Sequence, residues 1–230
     1  MDRKTLLGKA LLALIAEFAV FAAALLVSAG TLLWPAGWAF MALFFGFALA
    51  MVPYLAREDP ELLAERLAPP IQRGQPPWDR AFVAAVLPLF LAWLIVAPLD
   101  AVRFGWSGVP GWLQLLGVVG LVLSFCLMFL TFRENPYLAL TAKLQEGRGQ
   151  GVVSTGPYRY VRHPLYASAF LFLPGGTLLL GSWWGLLPAA AVLGLIVWRI
   201  PLEERMLEGG LAGYDEYERD VRYRLVPRVW

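Results

Sequence analysis

The chain holds one cysteine, Cys126, and one histidine, His163. A single thiol excludes an internal disulfide and a cysteine metal cluster, and Cys126 in the middle of an apolar run reads as a small buried hydrophobe. A single imidazole leaves no histidine-based metal site, so no metal is expected. Charge is scarce as well: 16% of the 230 residues are charged, where a soluble globule would carry roughly a quarter. Phosphate-binding loops of the P-loop type, a Gly-x-Gly-x-x-Gly turn after a strand and a hydrolase elbow are all missing. So is any long hydrophilic stretch able to form a separate Rossmann domain. The net charge of +2 marks no particular partner, and nothing points to nucleic acid. Lysine is sparse beside arginine, alanine and leucine, a usage that fits a GC-rich bacterial or archaeal genome.

What is abundant is apolar sequence, 59% of the chain. Runs long enough to cross a hydrocarbon core recur at about 6–29, 37–55, 81–99, 112–132, 164–181 and 183–200, which predicts an all-α, polytopic transmembrane bundle of about six spans. The basic start Met1-Asp2-Arg3-Lys4 precedes an apolar run too long for a signal peptide, and a retained first helix is expected. If all six segments span, the first, third and fifth loops carry only Arg103, and the other 18 of the 19 basic residues lie on the opposite side. The positive-inside rule makes that side the cytoplasm of a cell inner membrane, with both termini cytoplasmic. Trp34, Trp38, Trp106, Trp112, Trp183 and Trp184 then form an interfacial belt at the outer ends. Pro174-Gly175-Gly176 predicts a kink or a helix-turn-helix in the fifth segment. Asp59-Pro60 suits a helix start, with Leu62, Leu63 and Leu67 facing the membrane surface. Glu17, within the first span, reads as a protonated carboxyl hydrogen-bonded to a neighbouring helix.

Three polar constellations fall on the basic side. Gly156-Pro157-Tyr158-Arg159-Tyr160-Val161-Arg162-His163-Pro164-Leu165-Tyr166 is a shaped loop leading into a helix whose first residue is Pro164 and whose N-cap is close to His163. Free N–H groups there, with Arg162, favour an anion, and the tyrosines offer faces and hydroxyls; an interfacial loop of snorkelling arginines is the plainer account. Arg199 and Glu203 are four residues apart and share a helix face, whereas Glu204 points elsewhere; a helix-end ion pair is the plainer account there. Carboxylate opposite anion-holding groups suits a zwitterionic, amino-acid-like ligand. The tail from Tyr214 to Pro227 reads as a short amphipathic helix and an extended strap. Asn135, at the inner end of the fourth span, is a candidate for lining a cytoplasmic cavity or for a cap.

The stretch Val152 to Tyr166, an apolar hairpin, then Glu203-Glu204 and a Tyr/Arg tail resemble the isoprenylcysteine carboxyl methyltransferase family and the related membrane phospholipid methyltransferases. The resemblance covers about residues 133–230, and implies a catalytic region there behind N-terminal transmembrane helices at 1–132. It implies S-adenosylmethionine as cofactor, in a cytoplasmic-side pocket formed by the C-terminal half and enclosed by Gly156, Pro157, Tyr158, Arg162, His163, Pro164 and Tyr166. Glu203 or Glu204 would meet its ammonium group, and Arg199 would orient a substrate carboxylate. A carboxylate is already a nucleophile, so alignment and desolvation matter more than acid–base catalysis.

The partners expected are the lipid bilayer and a lipophilic small-molecule or lipidated acceptor: a carboxylate first, with a phospholipid amine or a small thiol as alternatives. A nicotinamide-dependent, steroid-reductase-like membrane reductase is a further alternative. Those proteins typically carry Pro-Asn-Tyr followed by Gly-Glu, where this chain has His163-Pro164-Leu165-Tyr166-Ala167-Ser168, which favours the methyltransferase. The last alternative is a membrane binding protein without activity. Oligomeric state is left open by the sequence.

Overall fold

The computed structural model describes residues 2–72 and 74–230 and, in its described residues, is built of helices without a strand. Arg73, one of the basic residues counted above, lies outside them. Four long apolar helices come first: α1 Arg3–Ala22, continued as a π-helix to Val27; α2 Pro35–Glu58; α4 Pro77–Pro98, continued to Arg103; and α5 Gly111–Glu134. The short α3, Pro60–Arg66, lies between α2 and α4. The C-terminal part adds α6 Pro164–Leu180, α7 Leu186–Gly210 and α8 Tyr214–Asp220. Among the described residues five helices are long and apolar enough to cross a membrane, and α6, at 17 residues, is the shorter sixth. The polytopic all-α expectation therefore holds.

Proline starts four of these helices, as Pro35, Pro60, Pro77 and Pro164, because its missing N–H is unpaired at that position in any helix. Asp59 caps α3 through the Leu62 N–H at 2.9 Å, as expected. Leu62 and Leu63, however, do not lie on the membrane surface. They are buried against Leu6, Ala10 and Leu55 of α1 and α2, because α3 folds back onto the bundle and its apolar face finds protein instead of lipid.

Of the two alternatives expected at Pro174-Gly175-Gly176, the helix-turn-helix is corrected: α6 is one continuous helix with Pro174 inside it. The glycines serve packing. A Cβ at Gly117 of α5 would stand 2.5 Å from the Gly175 carbonyl oxygen and 2.6 Å from the Leu179 nitrogen, so the two backbones touch. Between apolar helices in lipid, such close van der Waals contact is a main source of association. Gly176 opens room for Trp93, whose Nε1–H donates to Thr177 Oγ1 at 2.7 Å. Around this contact Phe40, Phe90, Trp93, Phe125 and Phe172 form the aromatic core.

At the tryptophan-rich end Asp100 ties the bundle together: its Oδ2 accepts from Ser182 Oγ at 2.6 Å and from the Trp184 N–H at 3.2 Å. Five of the six belt tryptophans are exposed there, but Trp34 is buried beneath Gly37. Cys126 is exposed on the outer face of α5, not buried, since the helix turns its packed side, Leu121, Ser124 and Phe125, toward α6. Glu17 is exposed on α1 and makes no hydrogen bond among the described residues, so the expected interhelical bond is not formed.

Candidate active site at the arginine-rich end

The loop before α6 is shaped by two local rules. Gly156 has φ +56°, and a Cβ there would meet Glu134 Cγ at 2.4 Å, so only glycine fits the turn. Gly156–Arg159 then form one 3₁₀ turn that delivers Tyr158 inward. The Tyr158 hydroxyl accepts from Asn135 Nδ2 at 2.8 Å, and its carbonyl accepts from the Tyr217 hydroxyl at 2.9 Å. Burial pushes the phenol pKa of both tyrosines up, which keeps them neutral hydrogen-bonding groups. Asn135 thus does both things foreseen for it, ending α5 and lining the cavity.

The tail is a strap. Tyr214 and Tyr217 of α8 are buried against Tyr158 and Val221, and the following segment crosses the start of α6. There Arg162 N–H donates to the Tyr223 carbonyl and His163 N–H to the Arg224 carbonyl, each at 2.9 Å. These two N–H groups are therefore not free for an anion. The Arg162 guanidinium is also occupied, at 2.8 Å from Glu204 Oε1 and 2.9 Å from Glu218 Oε1. Glu204 sits 2% exposed among three bases: Arg162, His163 Nε2 at 3.1 Å and Arg224 Nη2 at 2.7 Å. The Glu204 contact in turn raises the Arg224 pKa.

One helical step away, Glu203 faces a cavity of about 280 Å³. Its Oε2 accepts from the Tyr166 hydroxyl and lies 3.4 Å from Arg199 Nε; its Oε1 has no hydrogen-bond partner among the described residues. The Tyr166 ring stacks on His163, the centroids 5.5 Å apart. Arg199 is 5% exposed, lies over the Phe82 ring at 4.4 Å and is paired through Nη2 with Asp79 Oδ1 at 2.9 Å.

Of the residues singled out in the sequence, Tyr158, Arg162, His163, Pro164, Tyr166, Arg199 and Glu203 line this cavity; Gly156, Pro157 and Glu204 do not. Gly156 and Pro157 shape the turn behind it, and Glu204 holds the strap. Sequence reasoning missed Asp79, Thr141 and Tyr214. Asp79 is fully buried and looks in sequence like an ordinary flanking charge; only a carboxylate two residues after Pro77, in the first turn of a helix, hinted at it. The Thr141 Oγ1 and Tyr214 OH are buried, have no partner among the described residues, and belong to residues lining the cavity. Buried polar atoms of this kind are rare and call for an explanation.

The rim is held by ions. Lys143 Nζ lies 2.6 Å from Glu65 Oε2, and Arg148 Nε 2.8 Å from Glu61 Oε2; both tie the 136–150 loop to α3. Arg66, on the rim over the Phe132 ring, has its pKa lowered to about 10 by burial and remains cationic at neutral pH.

Helices, belt and cavity define a multi-pass membrane protein with a mixed polar and apolar chamber at its arginine-rich end. The model of the phospholipid methyltransferase family matches residues 142–211, and over that stretch the resemblance to membrane methyltransferases holds. The match contains the loop, α6 and α7 with Arg162, His163, Arg199, Glu203 and Glu204, and leaves out Asp79, Asn135 and the strap. No curated protein matches the chain.

Proposed function

We propose that this chain is an integral membrane methyltransferase that uses S-adenosylmethionine and modifies a lipophilic acceptor at the cytoplasmic face. The observation that carries the proposal is Glu203: a carboxylate within the family match, turned into the cavity, with one oxygen unpaired. The donor set fits the cofactor. Glu203 Oε1 is an acceptor for an ammonium group, and the Thr141 and Tyr214 hydroxyls are orphaned partners for further polar groups. Val152, Val153 and Leu211 add apolar wall.

When bound, S-adenosylmethionine supplies a methyl group already activated by its sulfonium. The protein's part is alignment and exclusion of water. Tyr166 fixes the Glu203 carboxylate, His163 fixes the Tyr166 ring, and the strap holds the backbone of Arg162 and His163 in place. In this reading Arg199, which lines the cavity, would orient an acceptor carboxylate, which attacks without a general base. A second reading is favoured by the Asp79 pair. Asp79, Arg199 and Glu203 carry formal charges summing to −1, and a net negative cluster favours an amine acceptor such as a phospholipid headgroup.

The test is methyl transfer from labelled S-adenosylmethionine to extracted lipids by the purified protein. Organic-soluble label lost in Glu203→Gln supports the proposal. Label released by mild base marks a methyl ester, and base-stable label an N-methyl group. No label, with saturable NADPH binding and none of S-adenosylhomocysteine, would move the chain to the reductases.

A further inference from the structure

We infer that Asp79 is a positioning residue that neutralises Arg199 and so leaves the Glu203 charge to a cationic ligand group; this rests on the S-adenosylmethionine reading above. Asp79 comes from α4, outside the family match. It is 0% exposed, with Oδ2 hydrogen-bonded and Oδ1 without a hydrogen bond among the described residues, so that Oδ1 meets Arg199 as an ion pair. Oδ1 faces Arg199 Nη2 at 2.9 Å. Oδ2 accepts from Gln75 Nε2 at 2.7 Å and from the Ala142 N–H at 2.8 Å. One carboxylate therefore holds both the arginine beside the cavity and the loop that forms its wall.

The charge arithmetic gives the residue its role. Arg199 lies between two carboxylates, and the shorter contact is to Asp79: 2.9 Å against 3.4 Å to Glu203 Oε2. Glu203 lines the cavity and its Oε1 has no hydrogen-bond partner among the described residues. With Asp79 ionised, the Asp79–Arg199 pair is neutral and Glu203 presents a full negative charge. Without Asp79, a buried guanidinium has Glu203 as its nearest counter-ion, and the two cancel. The site would then have lost the field that distinguishes a sulfonium ligand from its neutral thioether.

S-Adenosylmethionine and S-adenosylhomocysteine differ by one methyl group and one positive charge, so the ratio of their affinities reads this field. The full-length protein in detergent is titrated calorimetrically with each. Asp79→Asn is expected to shift the ratio against S-adenosylmethionine by about tenfold, the scale of one partly screened charge within several Å. Asp79→Glu is expected to keep the wild-type ratio. A structural role alone would weaken both ligands equally, and an equal loss or an unchanged ratio would overturn the inference. Should Asp79→Asn fail to fold, the double variant Asp79→Asn/Arg199→Met removes both charges of the buried pair. It is expected to keep the wild-type ratio; a shift toward S-adenosylmethionine would mean that Arg199 neutralises Glu203 in the native protein and would overturn the inference as well. Wild-type protein that binds neither ligand sinks the cofactor reading itself, a result distinct from binding with the wrong ratio.

Discussion

Glu203 and Glu204 are adjacent in the chain and face opposite environments: Glu203 lines the cavity beside Tyr166, and Glu204 is buried among Arg162, His163 and Arg224. Consecutive residues on a helix lie about 100° apart, so one carboxylate serves the site and the other the scaffold. Glu203→Gln is expected to weaken S-adenosylhomocysteine binding about tenfold or more with little change in thermal stability. Glu204→Ala is expected to do the reverse first: it removes the carboxylate shared by Arg162, His163 and Arg224 and leaves Arg162 with Glu218 alone, at a cost on the order of 2 kcal/mol, read as a lower unfolding temperature in detergent. Equal destabilisation by both variants would refute the division of labour.

The α5–α6 contact depends on having no side chain at Gly117 and Gly175. Gly117→Ala would drive a methyl into the backbone of Gly175 and Leu179, and overpacking of this kind costs about 1–3 kcal/mol. Gly120→Ala, where the nearest atom to a new Cβ is 3.5 Å away, is the control and should be tolerated. Thermal unfolding of the two variants side by side checks this; identical curves would mean that the helices can slide apart without loss.

The 136–150 loop is held to α3 by Arg148, which also donates to the Pro136 carbonyl at 2.9 Å and to Gln145 Oε1 at 2.8 Å. Arg148→Ala removes the internal bonds as well as the ion pair, and limited proteolysis should then cut this loop several-fold faster. Lys143→Ala, which loses mainly a partly exposed ion pair worth about 0.2–1 kcal/mol, should change the cleavage rate less. The opposite order would place the main latch at Lys143–Glu65.

Cys126 offers a check on the span of α5. It is the sole thiol, exposed on a helix of membrane-spanning length. In vesicles a charged maleimide should leave it unlabelled, because the charged reagent is excluded from hydrocarbon. In denaturing detergent it should label fully. Rapid labelling in vesicles would mean that this face of α5 meets water.

The elements legible in sequence were those governed by local rules. Long apolar runs, prolines at helix starts and the Asp59 cap are short-range signals, and they placed the helices and the turn into α6. His163, Tyr166, Arg199 and Glu203 were legible because loop and helix spacing bring them to one end of the bundle. The misreadings have a common cause. Leu62, Leu63, Cys126 and Trp34 were assigned to lipid, interior or interface from residue type alone, yet apolar side chains look the same whether they meet lipid or protein. Only packing decides between the two.

Sequence by itself determined the class of this protein: an all-α membrane bundle with its basic residues gathered at one end, since hydropathy and charge act on each segment separately. Tertiary structure decided which charges meet. Asp79 reaches Arg199 across 120 residues of chain, Glu204 turns away from its neighbour to hold the strap, and the glycines of α6 pack instead of breaking the helix. Those pairings depend on helix rotation and on contacts between distant segments, which no local pattern encodes.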